Sequence, residues 1–260
     1  MTSRNASKIN QVLQKWPKNT VATQSWLTKL EVSTKLADWY VGSGWMKRFG
    51  TGAYTRPGDH LEWQGGVYAL QTQLDMTVHV GGRTALELLG LSHFVPLGQQ
   101  RKVLLISDVK EQLPKWFNAH QWNADIEHKC LSLFEHVPPK SPTELDCSGY
   151  RIVMSGSECA MMEQMRLVMS NDDFEQAYLL MEGLTTARPS MVMELLKTCR
   201  SVKVKRLFLW CSEKAGHGWF KRLDLSQIDL GKGKRQIYSG GKYDSKYMIT
   251  VPDKKYMPDA

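Results

Sequence analysis

The 260-residue chain has no run of eighteen apolar residues, which argues against a membrane-spanning helix. Its first residues, Met1-Thr2-Ser3-Arg4-Asn5-Ala6-Ser7-Lys8, lack the apolar core of a secretory signal and lead into a helical pattern. The expected location is therefore cytoplasmic. Cysteine is scarce and odd in number: Cys130, Cys147, Cys159, Cys199 and Cys211, with no Cys-x-x-Cys pair. Zinc and dithiol redox sites need that spacing, so reduced and mostly buried thiols are expected. His120, His128 and Cys130 fit no standard metal-ligand spacing, and neither metal nor cofactor is expected. The Gly-x-x-x-x-Gly-Lys-Ser/Thr phosphate loop is missing as well. Asp172-Asp173 is the only adjacent acidic pair, and it reads as a helix cap. No nucleophile, base and orienting acid can be assigned from spacing, so the chain is not expected to be an enzyme.

What is present is basic charge at both ends. Residues 1–60 hold nine Lys/Arg against three Asp/Glu, a net +6. Residues 61–200 hold twelve against seventeen (−5), and residues 201–260 thirteen against six (+7). Two basic ends around an acidic middle point to two separate contact surfaces. Charge alone does not name the partner, because basic faces are often only solvated.

Thr23 to Arg56 carries the clearest local signal. Thr23 can cap a helix in which Trp26, Leu27 and Leu30 recur at helical spacing. Glu31-Val32 is a short connection. Ser33 or Thr34 can cap a second helix with Leu36, Tyr40 and Val41 inward, and Gly42 and Gly44 end it. Trp45–Phe49 and Ala53–Arg56 read as strands joined by Gly50-Thr51-Gly52. An amphipathic helix on Ile9, Val12, Leu13 and Trp16, stopped by Pro17, precedes them. The whole predicts a winged helix-turn-helix domain over 1–58, in which the second helix of the pair enters a DNA groove. Ser33, Thr34, Lys35, Asp38 and Trp39 would approach bases or backbone. Lys47, Arg48, Thr51 and Arg56 would hold phosphates, with no acid in the wing. A helical hairpin with a ribbon that merely packs is the plain alternative.

A larger mixed α/β domain is expected over 59–260, giving an α+β protein overall. Helices are predicted from Glu62, over Thr84–Leu89, near Leu113–Phe117 and three times between 157 and 200. Strands are predicted at Met76–Val80, Lys102–Ser107, Ile126–Phe134 and Tyr150–Met154. Leu91–Phe94 and Val95–Gly98 serve as a connection. Asp172 or Asp173 would cap the second helix of the late trio. Its methionine-rich faces read as core. Gly81-Gly82 reads as a tight strand-to-helix turn with Arg83 and Thr84 bonding locally. The last sixty residues read as β, with strands at Val202–Cys211, Trp219–Leu223 and Tyr247–Val251.

Several blocks together resemble a known family. They are Ser43-Gly44-Trp45-Met46, Gly50-Thr51-Gly52-Ala53-Tyr54, Val67–Leu74 and Val78-His79-Val80-Gly81-Gly82-Arg83-Thr84-Ala85-Leu86. Lys205–Leu209, Trp219–Asp224 and Leu230-Gly231-Lys232-Gly233-Lys234-Arg235 extend the pattern. Over nearly its whole length the chain resembles the AbiEi family, antitoxins of bacterial abortive-infection, type IV toxin–antitoxin systems. The resemblance implies a winged-helix head that binds operator DNA and represses its own operon. It also implies a C-terminal domain that counteracts a nucleotidyltransferase-like AbiEii toxin. Direct binding of that toxin and competition at a shared nucleic-acid target both remain open. Lys203, Lys205, Arg206, Lys221, Arg222, Lys232, Lys234 and Arg235 form the expected basic contact surface for toxin or nucleic acid. The alternative function is a ligand-responsive regulator with a winged-helix head and a sensor domain.

Overall fold

In the computed structural model, residues 3–91, 101–107, 110–236 and 241–251 are described. The expected connection over 92–98 lies outside them. The chain divides into two units that interleave along the sequence. The first gathers residues 1–79, 100–130 and 144–153; the second gathers 80–99, 131–143 and 154–260.

The first unit begins with α1 (Ser3–Lys15), β1 (Ala22–Thr23), α2 (Gln24–Lys29) and α3 (Thr34–Gly42). The Thr23 hydroxyl accepts the Trp26 amide at 3.3 Å and starts α2. Of the two candidate caps for α3, Ser33 is the one used: its hydroxyl accepts the Leu36 amide at 3.3 Å. Glu31 takes a positive φ of 57° in the turn between these helices. The hairpin β2 (Lys47–Gly50) and β3 (Ala53–Thr55) follows, and β1 completes a three-stranded sheet of order β1-β3-β2. Ile9, Val12, Trp16, Leu27, Val32, Ala37, Tyr40, Met46 and Tyr54 are buried in one cluster. Each large side chain so buried contributes about 1.5–3 kcal/mol, which is ample to hold a three-helix head together.

The rest of the first unit braces this head. α4 (Trp63–Gln73) sends the Gln73 side chain to β1: its oxygen accepts the Thr23 amide and its nitrogen donates to the Val21 carbonyl, both at 2.8 Å. Gly65 must be glycine, since a Cβ there would lie 2.0 Å from the Asn19 carbonyl oxygen. In sequence β4 (His79–Val80), shorter than the predicted strand, comes next, and α5 (Gly82–Leu88) after it belongs to the second unit. β5 (Lys102–Ser107) and β6 (Asp125–Cys130) pair in parallel, from Lys102↔Asp125 to Ser107↔Cys130. α6 (Lys115–Ala119) lies between them in sequence. Its end presents aromatic rings to the hairpin: Phe49 sits 6.0 Å from Trp116 and 4.5 Å from His120, centroid to centroid. β7 (Pro142–Asp146), which no sequence pattern announced, precedes β8 (Arg151–Ser155). Its leading proline is tolerated at a first strand position but masks the strand in the sequence.

The second unit is mostly helical: α7 (Ser157–Leu167), α8 (Asn171–Gly183), α9 (Pro189–Thr198) and α10 (Val202–Lys214). Met161, Met162, Met165, Met181 and Met191 are buried with Phe174, Leu195, Phe208 and Trp210. Ser170 caps α8, and Asp173 completes a capping box, in place of the predicted Asp172 or Asp173 cap. The Gly81-Gly82 turn is closed from α7. The buried Glu163 carboxylate accepts the Gly82 amide at 2.9 Å and the Ser155 hydroxyl at 2.8 Å, and the Gln164 oxygen accepts the Arg83 amide at 3.1 Å. The anion that a helix N-terminus favours is thus supplied by the chain itself. The Arg83 side chain bonds both locally and at long range: it donates to Glu87 one turn on at 2.6 Å and to the Gln176 oxygen, ninety-three residues on, at 3.0 Å.

Two predicted strands are corrected here. Val202–Cys211 lies in helix α10, because the Ser201 hydroxyl caps it at Val204 (3.3 Å) and Val204, Leu207, Phe208 and Cys211 share a buried helical face. The alternation of Val202, Lys203, Val204 and Lys205 had suggested a strand. Trp219–Leu223 includes the 3-10 turn Phe220–Arg222, and the Trp219 indole donates to the Leu184 carbonyl at 2.8 Å. Among the described residues of this tail, the strands are β9 (Arg235–Gln236), β10 (Lys242–Asp244) and β11 (Ile249–Val251), in the order β10-β11-β9.

Candidate nucleic-acid interface

The outer face of α3 is open. Ser33, Thr34, Lys35, Asp38 and Trp39 are exposed, while Ala37 and Tyr40 turn into the head core. Trp39 keeps 38 % of its surface in solvent, as does Trp45 just beyond the helix. Exposed indoles on a polar helix face offer flat apolar area at low entropic cost, which suits contact with a partner.

The hairpin places Lys47, Arg48 and Thr51 in solvent. Arg48 pairs with Asp38, so α3 and the wing are joined across their exposed sides. The same guanidinium lies 5.7 Å from the centre of the Tyr54 ring. Both partners of the ion pair are half in solvent, so the pair adds at most about 1 kcal/mol of stability. Its use is geometric: it orients a fork of donors between helix and ribbon.

Arg56 is a correction. It is half-buried, donates to the Leu13 carbonyl and lies 5.3 Å from the centre of the Trp16 ring. Desolvation lowers its pKa, partly opposed by Asp59. The chain leaves β3 into the Pro57-Gly58 turn, which carries this side chain under α1 instead of toward a phosphate.

The basic tail separates into two groups. Lys205 and Arg206 are buried, the latter with no exposed surface, so neither belongs to a contact surface. The Arg206 Nε donates to the Leu230 carbonyl at 2.8 Å. Its Nη1 donates to the carbonyls of Gly233 (2.7 Å) and Met248 (3.1 Å), and its Nη2 to that of Gly231 (3.0 Å). Lys205 donates to the Asp229 carbonyl at 3.2 Å. A guanidinium offers five donors in a rigid fork, and here the fork shapes a loop. Lys203 is half-buried and bonded to the Val168 carbonyl; desolvation, with Arg166, lowers its pKa against Asp173. Lys232, Lys234 and Arg235 stay exposed on the loop so clamped, and Lys221 and Arg222 are exposed on the 3-10 turn. Sequence reasoning missed Tyr243, which is 39 % exposed and carries the Lys234 ammonium 4.9 Å from its ring centre. Its place in a short alternating stretch gave no warning of that pairing.

Among the described residues, no group of three or more His, Cys, Asp and Glu side chains is arranged to hold a metal. All five cysteines are free. No described helix is long and apolar enough to cross a membrane.

Two family models match the chain. Residues 5–97 match the family model described as transcriptional regulator, AbiEi antitoxin N-terminal domain. Residues 100–252 match the model described as transcriptional regulator, AbiEi antitoxin, type IV TA system. No curated protein matches. Among solved structures, the fold is similar to the crystal structure of the RV2827C protein from Mycobacterium tuberculosis. The TM-score is 0.54 at 13 % identity, over 96 % of this chain and 92 % of that one. Identity that low speaks to fold alone, but the two family models together span nearly the entire chain. The chain therefore belongs to the AbiEi antitoxin family of type IV toxin–antitoxin systems, whose members are described as transcriptional regulators.

Proposed function

We propose that this protein is the antitoxin of an AbiE-like system and represses its own operon by binding operator DNA through residues 1–58. The observation that carries this reading is the open face of α3 joined to the basic hairpin by Arg48 and Asp38. Lys35, Trp39, Lys47 and Thr51 are exposed around that joint. In this reading α3 enters the major groove, Ser33, Thr34, Lys35, Asp38 and Trp39 meet bases or backbone, and Lys47, Arg48 and Thr51 grip phosphates. The residues over 59–260 counteract a nucleotidyltransferase-like toxin, with Lys221, Arg222, Lys232, Lys234 and Arg235 as the exposed basic contacts. The protein works in the cytoplasm as a regulator, with no catalytic step and no cofactor.

The test is electrophoretic mobility on the promoter of its own operon, across a salt series. Binding that neutralises several phosphates weakens linearly in log–log salt, with a slope of about −0.9 per phosphate. A promoter bound with no salt dependence, or not bound, removes the DNA half of the reading. Co-expression with the toxin encoded beside it tests the other half: growth restored by residues 59–260 alone supports two separable modules.

A further inference from the structure

Over the buried guanidinium of Arg206 lies a loop whose shape is set from inside. The carbonyls of Leu230, Gly231 and Gly233 accept from that guanidinium at 2.7–3.0 Å. Gly231 and Gly233 take positive φ, 65° and 78°, and Lys232 between them does not. A Cβ at Gly231 would come within 2.9 Å of a Val202 methyl, so the loop rests close on α10. Carbonyls engaged in this way do not face an incoming anion. Among the described residues, the backbone N–H groups of Lys232, Gly233 and Lys234 find no acceptor in the chain. Nor do the side chains of Lys232, Lys234 and Arg235 bond an acid. The carboxylates nearest in sequence are engaged elsewhere. Asp229 accepts the Gly231 amide at 2.7 Å, and Asp244 accepts the Trp210 indole and the Tyr247 amide, each at 3.0 Å. Three cations and a run of unused donors on a fixed turn favour an anionic ligand. Because the turn is already ordered, little conformational freedom is lost when one binds.

An aromatic ring beside the loop narrows the ligand. β10 pairs with β11 so that Tyr243 stands opposite Thr250, on the sheet face away from the buried Ile249 and Val251. The Lys234 ammonium lies 4.9 Å from the centre of the Tyr243 ring. With that ammonium in place, Tyr243 still keeps 39 % of its surface in solvent. A phosphate held by Lys234 would leave its base within reach of this ring. Backbone cations next to a stacking ring are the means by which single strands are held. A duplex or an acidic protein surface would satisfy the cations alone; a single strand also uses the ring.

We propose that residues 231–235 and Tyr243 form a site for single-stranded nucleic acid, the loop donors on the backbone phosphates and Tyr243 stacked on an adjoining base. This rests on the reading of Lys232, Lys234 and Arg235 as contacts, and it names what they contact. Stacking is tolerant of sequence, so the site grips any unpaired strand.

The test is fluorescence anisotropy with labelled oligouridylate and oligodeoxythymidylate of about twelve nucleotides, and a duplex of the same length, across a salt series. The full chain is titrated with and without Lys47→Glu and Arg48→Glu, which silence the head. Single strands are expected to bind both chains, and the head-silenced chain is expected to bind them about tenfold more tightly than the duplex. Tyr243→Ala should weaken strand binding by about tenfold, whereas Tyr243→Phe, which keeps the ring, should stay within about twofold. Lys232→Gln with Lys234→Gln should reduce the log–log salt slope by about 1.4, at about 0.7 per phosphate, with Tm unchanged because both side chains are exposed. No strand bound at low salt, parental affinity in folded Tyr243→Ala, or a duplex bound as tightly as a strand by the head-silenced chain would overturn the assignment. So would loss of toxin co-purification in these variants when the parent binds no strand, which would give the surface to protein. Toxin neutralised in cells by a chain that binds no strand would remove this site and leave the antitoxin reading standing.

Discussion

The two ends of the chain carry nearly equal positive charge, but among the described residues only the tail turns part of it fully inward. Over residues 1–60 the net charge is +6 and over 201–260 it is +7. In the head, Lys35, Lys47 and Arg48 stand outside a small apolar core. In the tail, Lys205 and Arg206 point inward and direct their donors to the carbonyls of Asp229, Leu230, Gly231, Gly233 and Met248. A cation on the surface is open to a partner; a cation among carbonyls is a scaffold. Net charge does not separate the two, whereas the acceptors around each nitrogen do.

That contrast can be broken at its strongest point first. Arg206→Ala should cost about 3–5 kcal/mol, because it strips four buried or half-buried carbonyls of their donor at once. Chemical denaturation measures it, and a loss under about 1 kcal/mol would make Arg206 ornamental. Lys47→Glu with Arg48→Glu should lower operator affinity by about a hundredfold or more and reduce the salt slope, with stability changed by no more than about 1 kcal/mol. Toxin neutralisation should survive in that variant; loss of both activities would argue against separable modules. Arg56→Gln sharpens the comparison inside the head. It should lower stability by about 1–2 kcal/mol through the lost bond to Leu13 and the lost packing on Trp16, while the operator salt slope stays as in the parent. A slope reduced by a full phosphate unit would return Arg56 to the DNA-contacting set. The smallest effect is expected at Ser170→Ala, about 1 kcal/mol in the denaturation midpoint, from loss of the hydroxyl half of the capping box on α8.

The head was readable because its signals are local. Thr23, Ser33, the glycines near Gly44 and the spacing of Ile9, Val12 and Trp16 each act within a few residues of themselves. The tail was not, because its organising bonds run from Arg206 to carbonyls twenty-four to forty-two residues away, and a carbonyl is common to every residue. The misreading of Val202–Cys211 had the same root. Val202 and Val204 favour a strand on propensity, and the Ser201 cap with the buried face of α10 outweighs them. Arg56 and Arg48 looked alike in sequence, and only the path of the chain after β3 sends one under α1 and the other toward Asp38. The Gly81-Gly82 motif was read correctly as a turn, yet its partner Glu163 lies eighty-one residues on and left no mark beside it.

The resting place of Phe49 and Gly50 has a consequence for synthesis. The apolar residues that bind the three-helix head together are complete once Tyr54 has emerged. The rings at Trp116, His120 and Trp122 that support the ribbon arrive much later in translation. A nascent chain thus passes through a stage in which the residues of the head core have emerged while the rings beneath the ribbon have not.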